Sequence, residues 1–572
     1  MAGNPSVTSI TDPAGTITTT VDLLGRTISY IDVWGVTTTT GHDQAGRVTQ
    51  TSGPLGAVGY GYDAAGRVET QTLDGQLLAD PAYHATTKEL ASTSYPNGTG
   101  TAGNGTALAT IGRDPAGRTI RLTWTLAGGT TVDDQVTRSQ SGKIIDHTVD
   151  GVDPYAGSNF EYDAAGRLTR ARVPGHDLQY QFEATGGCGI LATAGANTNR
   201  TAVIDNGGPP VTYCYDNADR LTSLSPAESY ANITYDTHGN TTRLGDQVHG
   251  YDSADRHMAT TNATTTIGYQ RDATDRIVAR LISGVVEARY GYTGPGDTPD
   301  LTYNASGALQ ERAIGLPGGA SVTKRSAGDV WSYPNIHGDT IATANPAGTK
   351  TGGTYHYDPY GNPLTGLPDN SAGALDYGWL GQHQRPLEHQ TGFIPVIEMG
   401  ARQYDPVLGR FLEIDPIEGG SSNDFDYAAG DPTNQFDLDG ERCSRRNNRR
   451  TRVFRDRDAA GHYIKLGCGT RGAHGYGLRH IRSQNHISQA GVSEDQFIAL
   501  TQQALRGYRR TRQRTGTYLY RGTVALAFPN QGTEDQFTWS VVVSARGEVV
   551  TAYARSRCTA TIGSLAAGRR CT

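Results

Sequence analysis

Five residues near the C-terminal end are of the types that break RNA without a metal: His480, His486, Arg521, Thr551 and Tyr553. Cleavage through the 2′-hydroxyl needs a base for that hydroxyl and an acid for the departing 5′-oxygen. It also needs cationic or hydroxyl donors for the charge that builds on the phosphate. An imidazole changes charge near neutral pH and can act as acid or base, and Arg, Thr and Tyr are the donors. The histidines stand in Gly475-Tyr-Gly-Leu-Arg-His480-Ile-Arg-Ser-Gln-Asn-His486-Ile. A lone His beside a helix is more often a surface or core residue than a catalytic one, and Tyr553 alternates as any strand residue does. His480 is the principal candidate and His486 the second. His462 and His474 lie in Gly-rich segments that argue for irregular loops.

Other chemistries find no footing. The sequence has no HExxH, no phosphate-binding P-loop and no GxSxG elbow. Six cysteines, Cys188, Cys214, Cys443, Cys468, Cys558 and Cys571, include no CxxC pair and no zinc spacing. No metal and no cofactor is therefore expected. The last four cysteines are compatible with two disulfides in an oxidising compartment or with buried free thiols.

Three elements must position the candidate residues. Ser493 followed by Gln496, Phe497, Leu500 and Leu505 reads as a capped amphipathic helix. Strand-like segments follow at 516–528, 536–545 and 548–554, the last two joined by a turn at Arg546-Gly547. Ahead of them lies a basic run, Arg442, Arg445, Arg446, Arg449, Arg450, Arg452, Arg455 and Arg457, which reads as a solvated, flexible arm.

Charge sets this region apart. Up to Glu441 the chain has 27 Lys+Arg against 50 Asp+Glu, and beyond it 23 against 7, so net −23 is followed by net +16. A basic part behind an acidic one predicts a polyanionic partner for the basic part, which the acidic part can hold meanwhile. A mere composition difference between domains is the bland alternative. Hydrophobic content of 36% and 74 glycines exclude large helical cores. No run of about 18 apolar residues predicts a membrane span. The start, Met1 to Val7, lacks the features of a secretory signal, which predicts export by another machine.

The first 440 residues repeat a short phrase. It reads YDAAGR at Tyr62–Arg67 and at Tyr162–Arg167, with looser copies ending at Arg26, Arg47, Arg118, Arg220, Asn240, Arg256 and Arg276. Thr-, Val- and Ile-rich alternating segments separate the copies, the period-two pattern of strands. The Asp can accept local backbone N–H bonds, Gly permits positive φ, and Tyr offers a large packing face. A hairpin alone cannot bury its apolar face, so such units must stack into a continuous spiralling sheet.

YDAAGR, YDNADR, YDSADR and YDPYGN resemble the YD repeats of Rhs and related polymorphic toxins. That resemblance implies a mostly β fold, a YD-repeat β-cocoon enclosing a small α+β C-terminal toxin domain. It divides the chain into a shell at 1–390, a plug and core terminus at 391–440, and a toxin domain at 441–572. The repeat region is short for a complete shell.

The family's self-cleaving pattern is DPxG, eighteen residues, then DPxGL, with an aspartate pair cutting after the final Leu. Here Asp415-Pro416-Ile417-Glu418 and Asp437-Leu438-Asp439-Gly440-Glu441 keep the spacing with altered letters. Two neighbouring carboxylates can share a proton, one activating water and the other acting as acid. Asp415 and Asp426 are the candidate pair, with Gly440 and Glu441 at the cut. A purely structural plug is the alternative.

Gly-Leu-Arg-His-Ile with a second His, and the segment at Gly547–Tyr553, resemble the BECR superfamily of toxin ribonucleases. This implies His480 as principal acid/base, Thr551 and Tyr553 as phosphate or base contacts, and Arg521 as the transition-state cation. The expected protein is a secreted effector of interbacterial competition that cuts RNA in the target-cell cytoplasm. Its expected partners are that RNA, an acidic immunity protein, and a secretion apparatus or carrier. The alternatives are a metal-dependent DNase, disfavoured by only seven acids in the tail, and a non-enzymatic YD-repeat adhesion protein.

Overall fold

The computed structural model describes residues 6–54, 56–185, 187–227, 230–416, 423–438 and 440, and then 452–457, 463–467, 501, 505, 510–513, 518–528, 533–544 and 549–561. For 452–457, 463–467, 510, 522–528, 533–539 and 553–561 the backbone alone is described. The fold is mostly β. The chain forms two compact units, one of Met1–Gly112, Thr119–Ile414 and Phe425–Gly440, the other of Arg113–Arg118, Asp415–Asp424 and Glu441–Thr572.

The YD phrase builds the same turn at each copy. At Asp63 one carboxylate oxygen accepts the amides of Ala65 and Arg67, both at 2.9 Å, and the other takes Arg67 Nε at 2.7 Å. Gly66 sits at φ +81°, which only a residue without Cβ adopts readily. In YDNADR, YDSADR and the copy ending at Arg276, Asp219, Asp255 and Asp275 occupy that position at φ between +60° and +71°. Asp tolerates the left-handed region better than most side chains, which is why Gly and Asp interchange there. The hydrogen bonds of Arg67 hold the Asp63 carboxyl below the usual carboxylate range.

At several copies the arginine then reaches the next repeat. Arg47 lies over the Tyr62 ring at 4.4 Å, Arg67 over Tyr83 at 4.2 Å and Arg276 over Tyr292 at 3.9 Å. The hydroxyls of these tyrosines donate to the carbonyls of Val48, Val68 and Ile277, the residues following the three arginines. The tyrosine therefore locks one hairpin to the preceding one besides packing against it. At two sites another arginine replaces the tyrosine: Arg271 Nε donates to His257 O at 3.0 Å, and Arg138 donates to Thr119 O.

Repetition of this lock yields antiparallel sheets in strict sequence order. One has thirteen strands from Val7–Asp12 to Ile144–Val149, the next six from Phe160–Tyr162 to Leu221–Ser225, and a third thirteen from Thr234–Tyr235 to Lys350–Thr351. A five-stranded sheet runs from Leu375–Asp376 to Arg410–Phe411. The first and third sheets meet in an aromatic core. Trp124 packs against Tyr333 with ring centres 5.2 Å apart, Tyr95 against Trp331 at 5.6 Å, and Trp124 Nε1 donates to Pro334 O. The five-stranded sheet is buried nearly throughout, and Arg280 on the third sheet grips Glu388 through Nε and Nη2 at 2.7 and 2.9 Å.

The second unit holds a four-stranded antiparallel sheet, Arg510–Arg512, Tyr518–Phe528, Thr533–Val543 and Val549–Thr561. Its last three strands fall on the strand-like segments read from sequence, each within a few residues at its start and longer at the C-terminal end of the last. Of the helix expected from Ser493, Thr501 and Leu505 are described; both are helical and buried. The basic run departs from expectation. Its segment Arg452–Arg457 is a strand paired with Tyr463–Gly467, in keeping with the strand-favouring residues Val453, Phe454, Tyr463 and Ile464 in the two segments.

One cross-link escaped the sequence reading: Cys188 and Cys214 form a disulfide. It ties the loop before the Ala194–Asn197 turn to the strand Val211–Tyr215, where Leu191 N also bonds Tyr215 O at 3.0 Å.

Candidate functional site

The tail sheet aligns three of the five candidates by register. Arg521 pairs with Ser540, and Ser540 with Tyr553; one step along, Leu519 pairs with Val542, and Val542 with Thr551. Directly paired residues, and residues two apart on one strand, share a face. Arg521, Ser540, Thr551 and Tyr553 therefore occupy one face of the sheet. The opposite face presents Tyr520, Val541 and Ala552, all buried at 1% exposure or less. The first face also carries Leu519 and Val542, and Ser540 on it is fully buried.

Arg521 is exposed, and its Nε donates to Ser540 Oγ at 3.4 Å. Thr551 Oγ1 is buried without a partner among the described residues. An exposed guanidinium can bind a phosphate and donate several hydrogen bonds to it. Ser540 was not singled out from the sequence, because its place beside Arg521 depends on the register of two strands. His480 and His486 lie outside the described residues, as do His462 and His474.

The junction is organised around Arg402. Its Nη2 donates to Asp437 Oδ2 at 3.1 Å, with both side chains at 1% exposure or less, and its guanidinium lies 3.6 Å from the Phe411 ring centre. Gly440 follows at φ +66°; a Cβ there would stand 2.6 Å from Met399 O and 3.1 Å from Arg402 N. Asp437 and Gly440 are thus seated on the hairpin of Val396–Met399 and Arg402–Asp405. Asp426 is bridged to Arg410 through the backbone, and Asp415 N bonds Asp424 O at 2.8 Å. Asp426 belongs to the first unit and Asp415 to the second. Glu441 lies outside the described residues. The sequence reading missed Arg402, although Arg402-Gln-Tyr-Asp-Pro stands at the head of the junction text.

Buried acids surround this hairpin. Gln403 donates through its amide to Glu413 at 2.9 Å and through Nε2 to Glu398 at 2.7 Å. Burial, opposed by the Gln403 amide and reinforced by the Glu398 carboxylate, pushes Glu413 up to about 8. Burial pushes Asp405 up to about 6 against the amides of Leu408 and Val407. Among the described residues no group of three or more His, Cys, Asp and Glu could hold a metal ion, and no helix is long and apolar enough to cross a membrane.

Comparison with known proteins follows the repeats. Residues 42–76 match the RHS Repeat family model. The tRNA3(Ser)-specific nuclease WapA of Bacillus spizizenii is 26% identical over 260 residues, 42% of this chain and 10% of that protein. The tRNA nuclease WapA of Bacillus subtilis is 24% identical over 251 residues, with the same coverages. Salivary gland surface protein 1 of Aedes aegypti is 33% identical over 92 residues, 16% of this chain and 2% of that protein. Among solved structures, TcdB2-TccC3-Cdc42 superposes with a TM-score of 0.57 at 16% identity, covering 76% of this chain and 24% of that one. TcdB2-TccC3 without its hypervariable C-terminal region gives a TM-score of 0.56. The chain spans about a tenth of the length of the WapA nucleases. It carries an RHS repeat at 42–76 and shares the antiparallel repeat fold of the TcdB2-TccC3 structures.

Proposed function

We propose that this chain is a nuclease toxin of the Rhs type, whose basic C-terminal domain cleaves RNA of a target cell without a metal ion. The observation that carries the reading is the register of the tail sheet, which sets Arg521, Ser540, Thr551 and Tyr553 on one face. The excess of basic residues after Glu441 supports a polyanionic substrate, and two relatives are named as tRNA nucleases. In the mechanism His480 takes the 2′-hydroxyl proton and His486 returns one to the 5′-oxygen. Arg521 steadies the phosphate charge with Thr551 and Tyr553. Interbacterial delivery, and restraint at home by an acidic immunity protein, complete the proposal.

The test is incubation of residues 441–572 with total RNA in EDTA, with circular dichroism as the check of folding. RNA breakdown that His480→Ala abolishes and Arg521→Ala reduces by about a hundredfold or more is the expected result. Intact RNA beside folded protein defeats the proposal. Metal-dependent nicking of plasmid DNA selects the DNase reading, and absence of any nuclease activity or toxicity selects adhesion.

We also propose self-cleavage after Glu441, with Asp415 and Asp426 as the acids and the Arg402–Asp437 pair holding the segment ahead of the cut. Residues 442–572 are 131 of 572, so the 60.9 kDa chain should release a fragment of roughly 14 kDa on a denaturing gel. Gly440→Ala should diminish that fragment, since its Cβ collides with Met399 O. A single full-length band from the unaltered chain rules the cleavage out.

A further inference from the structure

The hydrogen-bonded ladder stops at Ile144–Val149 and resumes at Phe160–Tyr162 in a separate sheet. Residues 150–159 cross this seam, and beside them a cavity encloses about 750 Å³, its solvent-open part included. Its walls mix apolar residues, Val149, Phe160, Val173, Ile341 and Trp379 among them, with polar ones: His147 and His356 besides His337, and the carboxylates Asp339 and Asp358, which are held by His337 and Asn362.

His147 is held in place by a buried aspartate. Its Nε2 meets Asp134 Oδ1 at 2.6 Å, and the other oxygen of this fully buried aspartate accepts Ile336 N at 2.7 Å. Nδ1 of His147 has no partner among the described residues, and neither does the His356 ring. Burial opposes charge on His147, but the Asp134 carboxylate outweighs it and holds the imidazole above the usual range. Burial, and then the charge of His147, drives His356 below that range. His337, by contrast, is occupied, with Asp339 on one nitrogen and Pro432 O on the other. Arg172 lines the cavity with its guanidinium already engaged by Glu161 and stacked on Tyr155.

We propose that this seam cavity binds a small organic anion, with a carboxylate or phosphate head on His147 and an apolar ring or chain against Phe160 and Trp379. With Nε2 turned to the Asp134 carboxylate, the protonated imidazole would offer Nδ1–H to the head, and the apolar part of the walls suits the body. The site is separate from the nuclease reading and does not depend on it.

Calorimetric titration of the full chain with benzoate, phenyl phosphate and neutral benzyl alcohol tests it, the two anions distinguishing the two heads. Saturable one-to-one binding of at least one anion is expected, with benzyl alcohol about tenfold or more weaker. Val152→Trp should block binding; Val152 lines the cavity yet is 44% exposed, so the change leaves the core alone. His147→Gln, which can still bond Asp134, should weaken the anion about tenfold and leave benzyl alcohol unchanged. No saturable heat with either anion, equal affinity for benzyl alcohol, or full binding by a folded Val152→Trp variant overturns the proposal. Should Val152→Trp fail to fold, the His147→Gln comparison decides.

Discussion

At Glu413 a single side chain sets a pH dependence. Its carboxyl is 2% exposed and is pushed from the ordinary 4.5 up to about 8. Between those values the folded chain keeps a proton that the unfolded chain has released. Stability is therefore greatest on the acid side of this window and falls as pH rises through it, by at most about 1.4 kcal/mol per pH unit. Asp405, pushed up to about 6, acts in the same direction over a narrower span. Glu413→Gln preserves the shape and the acceptor for Gln403, and should flatten the decline. Denaturant midpoints compared across the window measure it, and a variant as steep as the parent refutes the assignment to Glu413.

At the level of the element, the unit that repeats is the turn and its reach into the next hairpin. Asp63 fixes Arg67, Arg67 covers Tyr83, and Tyr83 donates to Val68 O at 2.8 Å. Tyr83→Phe keeps the ring and its stack but strands that carbonyl, at a cost of about 1 kcal/mol. Arg67→Ala should cost more, because it also removes the bonds to Asp63 and to Lys88 O. Urea midpoints of the two variants order them, and a Tyr83→Phe change larger than Arg67→Ala would contradict this chain of contacts. In the tail sheet the last three strands, of eleven to thirteen residues, carry the register.

Across the first unit, stability depends on the seam between the first and third sheets, where residues more than two hundred positions apart close one core. Trp124 is fully buried there against Tyr333, and its indole N–H bonds Pro334 O. Trp124→Ala removes ring area and a hydrogen bond together and should destabilise by about 3–5 kcal/mol. Differential scanning calorimetry of the full chain measures the loss. A shift within error of the parent would mean that the two sheets hold without this contact.

Much of this protein was legible in its sequence because the information is local. An Asp, a Gly or Asp in left-handed backbone and an Arg make a turn whose hydrogen bonds close within five residues, so each copy announces itself. The alternation between copies gives the strands, and in the tail it placed Arg521, Thr551 and Tyr553 on strands whose register then brought them to one face. The charge contrast at Glu441 is likewise a property of composition. What only the tertiary structure decided are the contacts between distant segments: Trp124 on Tyr333, Cys188 with Cys214, Arg402 beneath Asp437 and Gly440, Ser540 beside Arg521, and the cavity at His147. These depend on how twisted sheets pack and where a ladder breaks, and a period of two residues is the same wherever a sheet ends.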